Sequence, residues 1–582
     1  MRQDADPFLL EVLKNALDTV ADEMALILMR TSYSGIIRDS MDFSTAVCDA
    51  EGQTLAQGLT TPMHLGSFYD AMRCLIGRYA GRIDPDDVFI FNDPYDSGGQ
   101  HLPDIYIIKP VFFERALVAW ATTVAHHADV GGIVAGSNAL GATEIFQEGL
   151  RIPVLKFLER GVQNHAIWEL VRLNVRVPDK VLGDLQAQVA ACVTGERELQ
   201  ELFQRYGADT VSAYFAHLHD YAERLARAEI ADIADGEYRF TDHIDGLGEN
   251  PEPIVLQVRI VIAGDEATVD WTGSSPQVKG GINSPLPFTK ACAYTALRSI
   301  MPAEVPNCHG FTRPIRTIAP AGIVVNPTAP FPCGARGITG FRMIDCLFGA
   351  LAAAVPDKVT ADGNGGSTLP TIAGWQDGTP FVFCETFMGT WGAAGDHDGQ
   401  EGVPHMGANQ SNVPVEMIEA AFPLRIERYG LVPDTGGAGR FRGGLALTRE
   451  YRLLAEEATL NIRSDKRRFP PHGLAGGRTG APSINVVNPD GNARVLPVLL
   501  TEPVELSRGD LYRHVMAGGG GYGDPLDRDP TRVLEDVLDE KLTPAHALRE
   551  YGVVISGSPP VCDLAATAQR RTALKQSAGP PS

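Results

Sequence analysis

His101-Leu-Pro-Asp-Ile-Tyr-Ile-Ile-Lys-Pro-Val-Phe-Phe-Glu-Arg-Ala-Leu-Val-Ala-Trp-Ala-Thr-Thr-Val-Ala-His126 is the stretch on which the fold of the first half of the chain turns. Ile105 to Phe113 and Ala116 to Ala125 are rich in β-branched and aromatic residues, which reads as two strands. Glu114-Arg115 lies between them and serves as a two-residue turn. With such a turn, antiparallel partners have numbers summing to about 229. Asp104 then falls opposite Ala125, one residue from His126, and His101 lies just before the strand at the same end. A carboxylate and two imidazoles gathered at one sheet edge suit a divalent ion such as Zn²⁺, Mn²⁺ or Fe²⁺, with positions left open for water or substrate. Spacing alone leaves ordinary loop side chains as an equal alternative, and it does not choose the metal.

Upstream, Asp6-Pro7 is an N-cap followed by proline at the first helical position. Leu9, Val12, Leu13, Ala16, Leu17, Val20, Met24 and Leu28 share one face of a helix expected to end near Ser34-Gly35. Phe43 to Cys48 and Thr54 to Gln57 read as strands around the turn Asp49–Gly52. Ser67 to Ala80 reads as a helix, and Val88 to Phe91 as a short buried strand entering the loop 92–104. Residues 180–234 have helical periodicity without proline. After Gly236 the texture becomes short β-rich pieces with frequent Gly and Pro, as far as roughly residue 515. The expectation is an α+β, multi-domain chain: an N-terminal α/β domain (1–235) carrying the metal site, a β-rich domain (236–525), and a C-terminal helical segment with a disordered Ser/Pro/Ala-rich tail (526–582).

A length of 582 residues allows two or three cores. The formal charge of −22 (50 basic minus 72 acidic) disfavours nucleic acid or an anionic membrane as partner. No leader and no run of 18 apolar residues is visible. The nine cysteines are dispersed without a C-x-x-C pair, which points to buried thiols in a reducing compartment and a cytoplasmic protein. Gly518–Gly521 lacks the Lys-Ser/Thr of a P-loop, and Gly436–Gly439 and Gly363–Gly366 lack a dinucleotide context, so all three read as turns. Asp396-His397-Asp398 with His405 reads as a solvated loop, with a partner-facing or channel-lining cluster as the alternative; Lys466-Arg467-Arg468 reads either as a surface run or as an anion contact.

Several strings occur in order: Met41-Asp-Phe-Ser44, Asn92-Asp-Pro-Tyr95, Gly99-Gln-His-Leu-Pro-Asp-Ile105, His126-His-Ala-Asp-Val-Gly-Gly132, Glu144-Ile-Phe-Gln-Glu-Gly-Leu-Arg-Ile-Pro153, Trp271-Thr-Gly-Ser-Ser-Pro276, Asn412-Val-Pro-Val-Glu416, Phe469-Pro-Pro471 and Gly518-Gly-Gly-Gly-Tyr-Gly-Asp-Pro525. On these the chain resembles the hydantoinase B/5-oxoprolinase family, which also includes subunits of acetone and acetophenone carboxylases. The resemblance implies His101, Asp104 and His126 as metal ligands, with Asp42 as a fourth, although Asp39 lies nearby. It makes His127 and Asp129 candidates for proton transfer or for support of the ligands, with orientation of their loop as the alternative. Arg151 and Glu148 become candidate substrate or phosphate contacts, Arg151 equally a structural ion pair. It further implies a hydantoinase A-type partner that binds ATP and Mg²⁺ and phosphorylates the ring oxygen of a small cyclic amide, in a complex such as A2B2. Water activated by the metal would then open the ring. Alternatives are a role within a ketone carboxylase and that of a non-catalytic scaffold. Hydantoin, N-methylhydantoin, 5-oxoproline and lactam substrates are not separated by any residue.

Overall fold

The computed structural model describes residues 6–58, 61–64, 66–365 and 368–577. Seven strands form one antiparallel sheet in the N-terminal part: β1 (Phe43–Asp49), β2 (Thr54–Gln57), β3 (Val88–Phe91), β4 (Asp104–Phe113), β5 (Ala116–His126), β6 (Leu155–Glu159) and β7 (Val162–Gln163), in the order β2-β1-β5-β4-β3-β6-β7. Both of its faces are covered, so its central strands read as continuous apolar runs. Ala46, Tyr106, Trp120 and Val124 pack on one face with Phe68, Met72 and Leu75 of the helix Ser67–Arg78. Val47, Ile105, Ile107 and Ala121 face the other way, into a large core shared with the helices Pro7–Thr31 and Pro178–Tyr206.

Glu114 (φ 47°) and Arg115 (φ 70°) are both left-handed, the turn form that matches the twist of a two-residue hairpin. The register does not stay at the expected sum. Phe112 pairs with Leu117, but Val111 pairs with Ala119, leaving Val118 as the extra residue of a β-bulge. From there on the sum is one higher, and Asp104 stands opposite His126 rather than Ala125. One residue decides the site, because side chains alternate faces along a strand.

The helix expected to run to Ser34-Gly35 stops at Thr31, and a short turn, Gly35–Arg38, follows it. The helical stretch 180–234 is two helices, Pro178–Tyr206 and Ala208–Ala231, divided at Gly207 (φ 82°). Within the span read as β-rich lie two buried helices, Leu286–Ser299 and Gly337–Leu351. Every residue of the latter except Gly349 is buried, the charged Arg342 and Asp345 included, so no side of it faces solvent. It packs near the strands Gly236–Ile244 and Ile254–Ala263 of a four-stranded sheet. Further four- and five-stranded sheets follow. One apolar cluster extends from Leu13 to Leu499 and so draws on elements on both sides of Gly236. The architecture is mixed α+β.

The segment 526–582, expected to begin as a helix and end disordered, does begin with the helix Pro530–Leu538, and the helices Pro544–Glu550 and Leu564–Ser577 follow it. Val533, Leu542, Ala547, Tyr551 and Val553 give this segment a small core against Ala438. Residues 578–582 of that expectation lie outside the described residues. Gly518–Gly521 is a packed crossing: a Cβ at Gly518 would stand 1.9 Å from Thr435 O, and one at Gly520 2.0 Å from His472 O. All nine cysteines are free. Among the described residues no helix is long and apolar enough to cross a membrane.

Candidate metal centre

Three neighbouring strands bring the donors into one row. Asp104 is the direct partner of His126. Phe43 pairs with Ala125, and the His126 amide donates to Asp42 O at 3.0 Å, which sets Asp42 beside His126 on the other flank. His101 joins through a tight turn, Asp104 N donating to His101 O at 3.1 Å. Asp42, His101, Asp104 and His126 are all buried. Asp39 instead pairs with Arg38 at 2.9 Å, and Asp42 is the carboxylate that lines the cavity.

His101 Nδ1 lies 2.8 Å from Gly334 O. A carbonyl only accepts, so Nδ1 carries the proton and Nε2 presents a lone pair. That Nε2 lies 3.1 Å from Asp104 Oδ1 without hydrogen-bond geometry. His101 Nε2, Asp104 Oδ1 and both ring nitrogens of His126 have no hydrogen-bond partner among the described residues. The His101 and His126 ring centroids are 5.0 Å apart. Burial, reinforced by the Arg336 guanidinium, pushes His101 down to about 4, and burial with the neighbouring His101 holds His126 well below the usual histidine range. Both rings are therefore neutral at pH 7. Burial opposes ionisation of Asp104, but Arg336 and His101 hold it well below the usual carboxylate range. Burial and the adjacent Asp104 push Asp42 up to about 7.

Sequence reasoning missed three residues that close the site. His64 Nε2 lies 3.7 Å from Asp104 Oδ2, and its Nδ1 lies 2.7 Å from Ser44 Oγ. Arg336 donates to Asp104 Oδ2 and, at 2.7 Å, to Gln100 Oε1. Arg463 lines the same cavity and donates to Asn138 Oδ1 at 2.6 Å. His64 was detectable only as a lone His before a helix, and the two arginines carry no local pattern. The cavity between these groups has about 30 Å³ open to the centre of a water molecule, which is room for a small ion and its water.

As the side chains stand, no three His, Cys, Asp or Glu among the described residues form a ready ligand group, and Arg336 engages one oxygen of Asp104. The chemistry of the donors fits a divalent ion all the same. Two neutral imidazole nitrogens and a carboxylate oxygen converge, buried and unpartnered, where burial without a partner is costly.

His127 does not join them. Its ring meets Gln188 Oε1 at 3.0 Å, and Gln188 in turn donates to Ile105 O and to Thr123. Asp129 accepts from the amides of Gly131 and Gly136 and pairs with Arg176 at 3.0 Å, which orients the loop after β5. Arg151 is an ion-pair partner of Asp93 at 2.5 Å. Glu148 accepts from the amides of Cys333 and Gly334 at 3.0 and 2.6 Å, and so holds the loop that carries His101's acceptor. His397 and Asp396 form an exposed pair, whereas Asp398 binds Arg528 and His405 binds Asp345 at 2.9 Å in the interior. Lys466 is fully buried between Asp362 and Asp345, which excludes a surface run.

The family model described as hydantoinase B/oxoprolinase matches residues 6–525. The chain is 35% identical over 571 residues to a putative D-/L-hydantoinase, its B component, from Pseudomonas sp. strain NS671, covering 95% of this chain and 96% of that one. It is 34% identical to the beta chain of the caprolactamase of Pseudomonas jessenii, covering 97% and 99%. Among solved structures, the ATP-dependent caprolactamase from Pseudomonas jessenii aligns with a TM-score of 0.91 at 31% identity, over 98% of this chain and all of that one. An acetone carboxylase structure aligns with a TM-score of 0.92 at 20% identity, over all of this chain and 84% of that one, a likeness of fold alone.

Proposed function

The chain belongs to the hydantoinase B/oxoprolinase family, and from that premise we propose that it is the metal-carrying subunit of an ATP-dependent enzyme that opens cyclic amides. One observation carries the reading: unpartnered buried donor atoms of His101, Asp104 and His126 converge at the ends of the neighbouring central strands β4 and β5, with Asp42 beside them. His101, Asp104, His126 and Asp42 would hold one divalent ion, Zn²⁺, Mn²⁺ or Fe²⁺. Such an ion, when bound, supplies Lewis-acid polarisation and water of lowered pKa. The residues do the rest. Gly334 O fixes the tautomer of His101 so that Nε2 faces the site. Asp104 stays ionised, and burial of the whole set keeps bulk water out.

An amide carbonyl is a poor electrophile, so activation has to come from elsewhere. We assign it to an ATP-binding partner of the hydantoinase A type, carrying ATP and Mg²⁺, in a hetero-oligomer such as A2B2. Support comes from relatives named as the B and beta components of larger enzymes, and from the likeness to a solved caprolactamase that is ATP-dependent. The substrate class is a small cyclic amide. Free thiols throughout support a reducing, cytoplasmic setting. The likeness to acetone carboxylase is of fold and does not favour ketone carboxylation. A purely scaffolding role leaves the unpartnered donors unexplained. The test is ATP-dependent turnover of hydantoins, 5-oxoproline and lactams by the complex of this chain with its partner. His101→Ala should abolish ring opening; unchanged turnover in that variant would overturn the assignment.

A further inference from the structure

The cavity has a second wall that the metal donors do not form. Arg336 stands at the N-cap of the helix Gly337–Leu351, Gly337 itself lines the cavity, and Arg463, the last residue of the strand Glu457–Arg463, lines it too. Both arginines are 5% exposed. The Nε of each has no partner among the described residues. Arg336 is locked in place, its Cζ 4.2 Å over the Phe288 ring. Arg463 is held at one end by Asn138, which the Asn461 side chain also fixes by donating to its backbone O at 3.0 Å.

Two buried guanidiniums line this wall, each with an N–H that no described residue accepts, and a divalent ion on the donors would add further positive charge to the same buried space. A neutral cyclic amide does nothing to relieve this. A dianionic group does, and the planar N–H fork of arginine and the amide end of a helix are the groups that bind phosphoryl oxygens best.

We propose that Arg336, Arg463 and the start of the helix Gly337–Leu351 form an oxyanion pocket for the phosphoryl group of the activated substrate. It rests on the reading given under Proposed function, and it deepens that reading: the pocket tells the phosphorylated ring from the free ring by charge, so the unactivated amide is not held at the metal. Arg463 is the residue to test, since it touches none of the metal donors through a hydrogen bond, whereas Arg336 holds Asp104.

The experiment titrates inorganic phosphate into the purified full chain by calorimetry, comparing wild type, Arg463→Met and Arg463→Lys, with metal content and melting temperature measured on each sample. Wild type should bind phosphate, Arg463→Met should bind it at least about tenfold more weakly with metal content unchanged, and Arg463→Lys should fall between. With the two-subunit complex, Arg463→Met should keep consuming ATP while ring opening drops. Absence of phosphate binding in metal-loaded wild type, or equal binding by Arg463→Met, would overturn the pocket and leave the metal site standing. If Arg463→Met does not fold, the lysine variant decides by the same comparison. If wild type carries no metal, the proposed function fails, and the titration still judges the pocket.

Discussion

His101 shows how much of the proposed site rests on groups that would not touch the ion. Glu148 anchors the amide of Gly334, and Gly334 O holds His101 Nδ1, so the orientation of one imidazole is set from residue 148. A Cβ at Gly334 would stand 2.9 Å from Glu148 Oε1. Gly334→Ala should therefore shift the loop and weaken metal binding about 10- to 100-fold, read by competition with a chelating dye, without loss of the fold. Asp42 makes a second prediction. Its carboxyl, raised to about 7, has to lose its proton to become a ligand, so metal affinity should fall as pH drops below about 7. Calorimetry in buffers of different ionisation enthalpy should show proton release on metal binding at pH 6, and Asp42→Asn should remove it. His101, Asp104 and His126 were legible because a hairpin brings nearby sequence together. His64, Arg336 and Arg463 were not, because sheet and helix packing bring them from remote segments, and a lone arginine looks the same whether it faces water or a buried carboxylate. His127 and Asp129 were singled out for standing next to a ligand, yet alternation along β5 and the loop beyond it direct them to Gln188 and Arg176.

Among the elements, the β4–β5 hairpin was predicted from composition and turn length, and its strand limits agree with the structure to within one residue. The bulge at Val118 was not, since no residue in Val-Phe-Phe-Glu-Arg-Ala-Leu-Val announces it; yet it sets Asp104 and His126 on the same face. The helix Gly337–Leu351 was hidden for a different reason, being buried all round. It spans two charged centres. Arg336 at its start holds Asp104, and Arg342 further along meets Asp465 at 2.8 Å, Asp242 at 3.3 Å and Asp362 at 3.6 Å. Arg342→Met would leave Asp465 and Asp242 buried without their cation, while Asp362 keeps Lys466. It should cost about 3–5 kcal/mol in denaturant unfolding, whereas loss of an exposed pair such as Arg172–Glu169 should leave the unfolding midpoint near that of wild type.

On the scale of the whole molecule, the change of texture near residue 236 was visible, while the packing that follows it was not: periodicity reports single elements, and the apolar cluster from Leu13 to Leu499 is assembled from many. The helical start of the segment 526–582 was legible, but the helix Leu564–Ser577 was not, because a Ser/Pro/Ala-rich composition says nothing of the contacts Arg571 makes with the carbonyls of Tyr551 and Arg528. The chain also lacks a P-loop, and its proposed metal site would perform only part of a reaction. The isolated chain with ATP and a cyclic amide should accordingly release no amino-acid product, and addition of the ATP-binding partner should restore it. The central claim is narrower and is tested most directly by elemental analysis of the purified chain. Wild type should carry about one divalent ion per chain, and His101→Ala and His126→Ala almost none, with the secondary-structure content of the variants unchanged by circular dichroism. Wild type without stoichiometric metal, or alanine variants that keep it, would contradict the account.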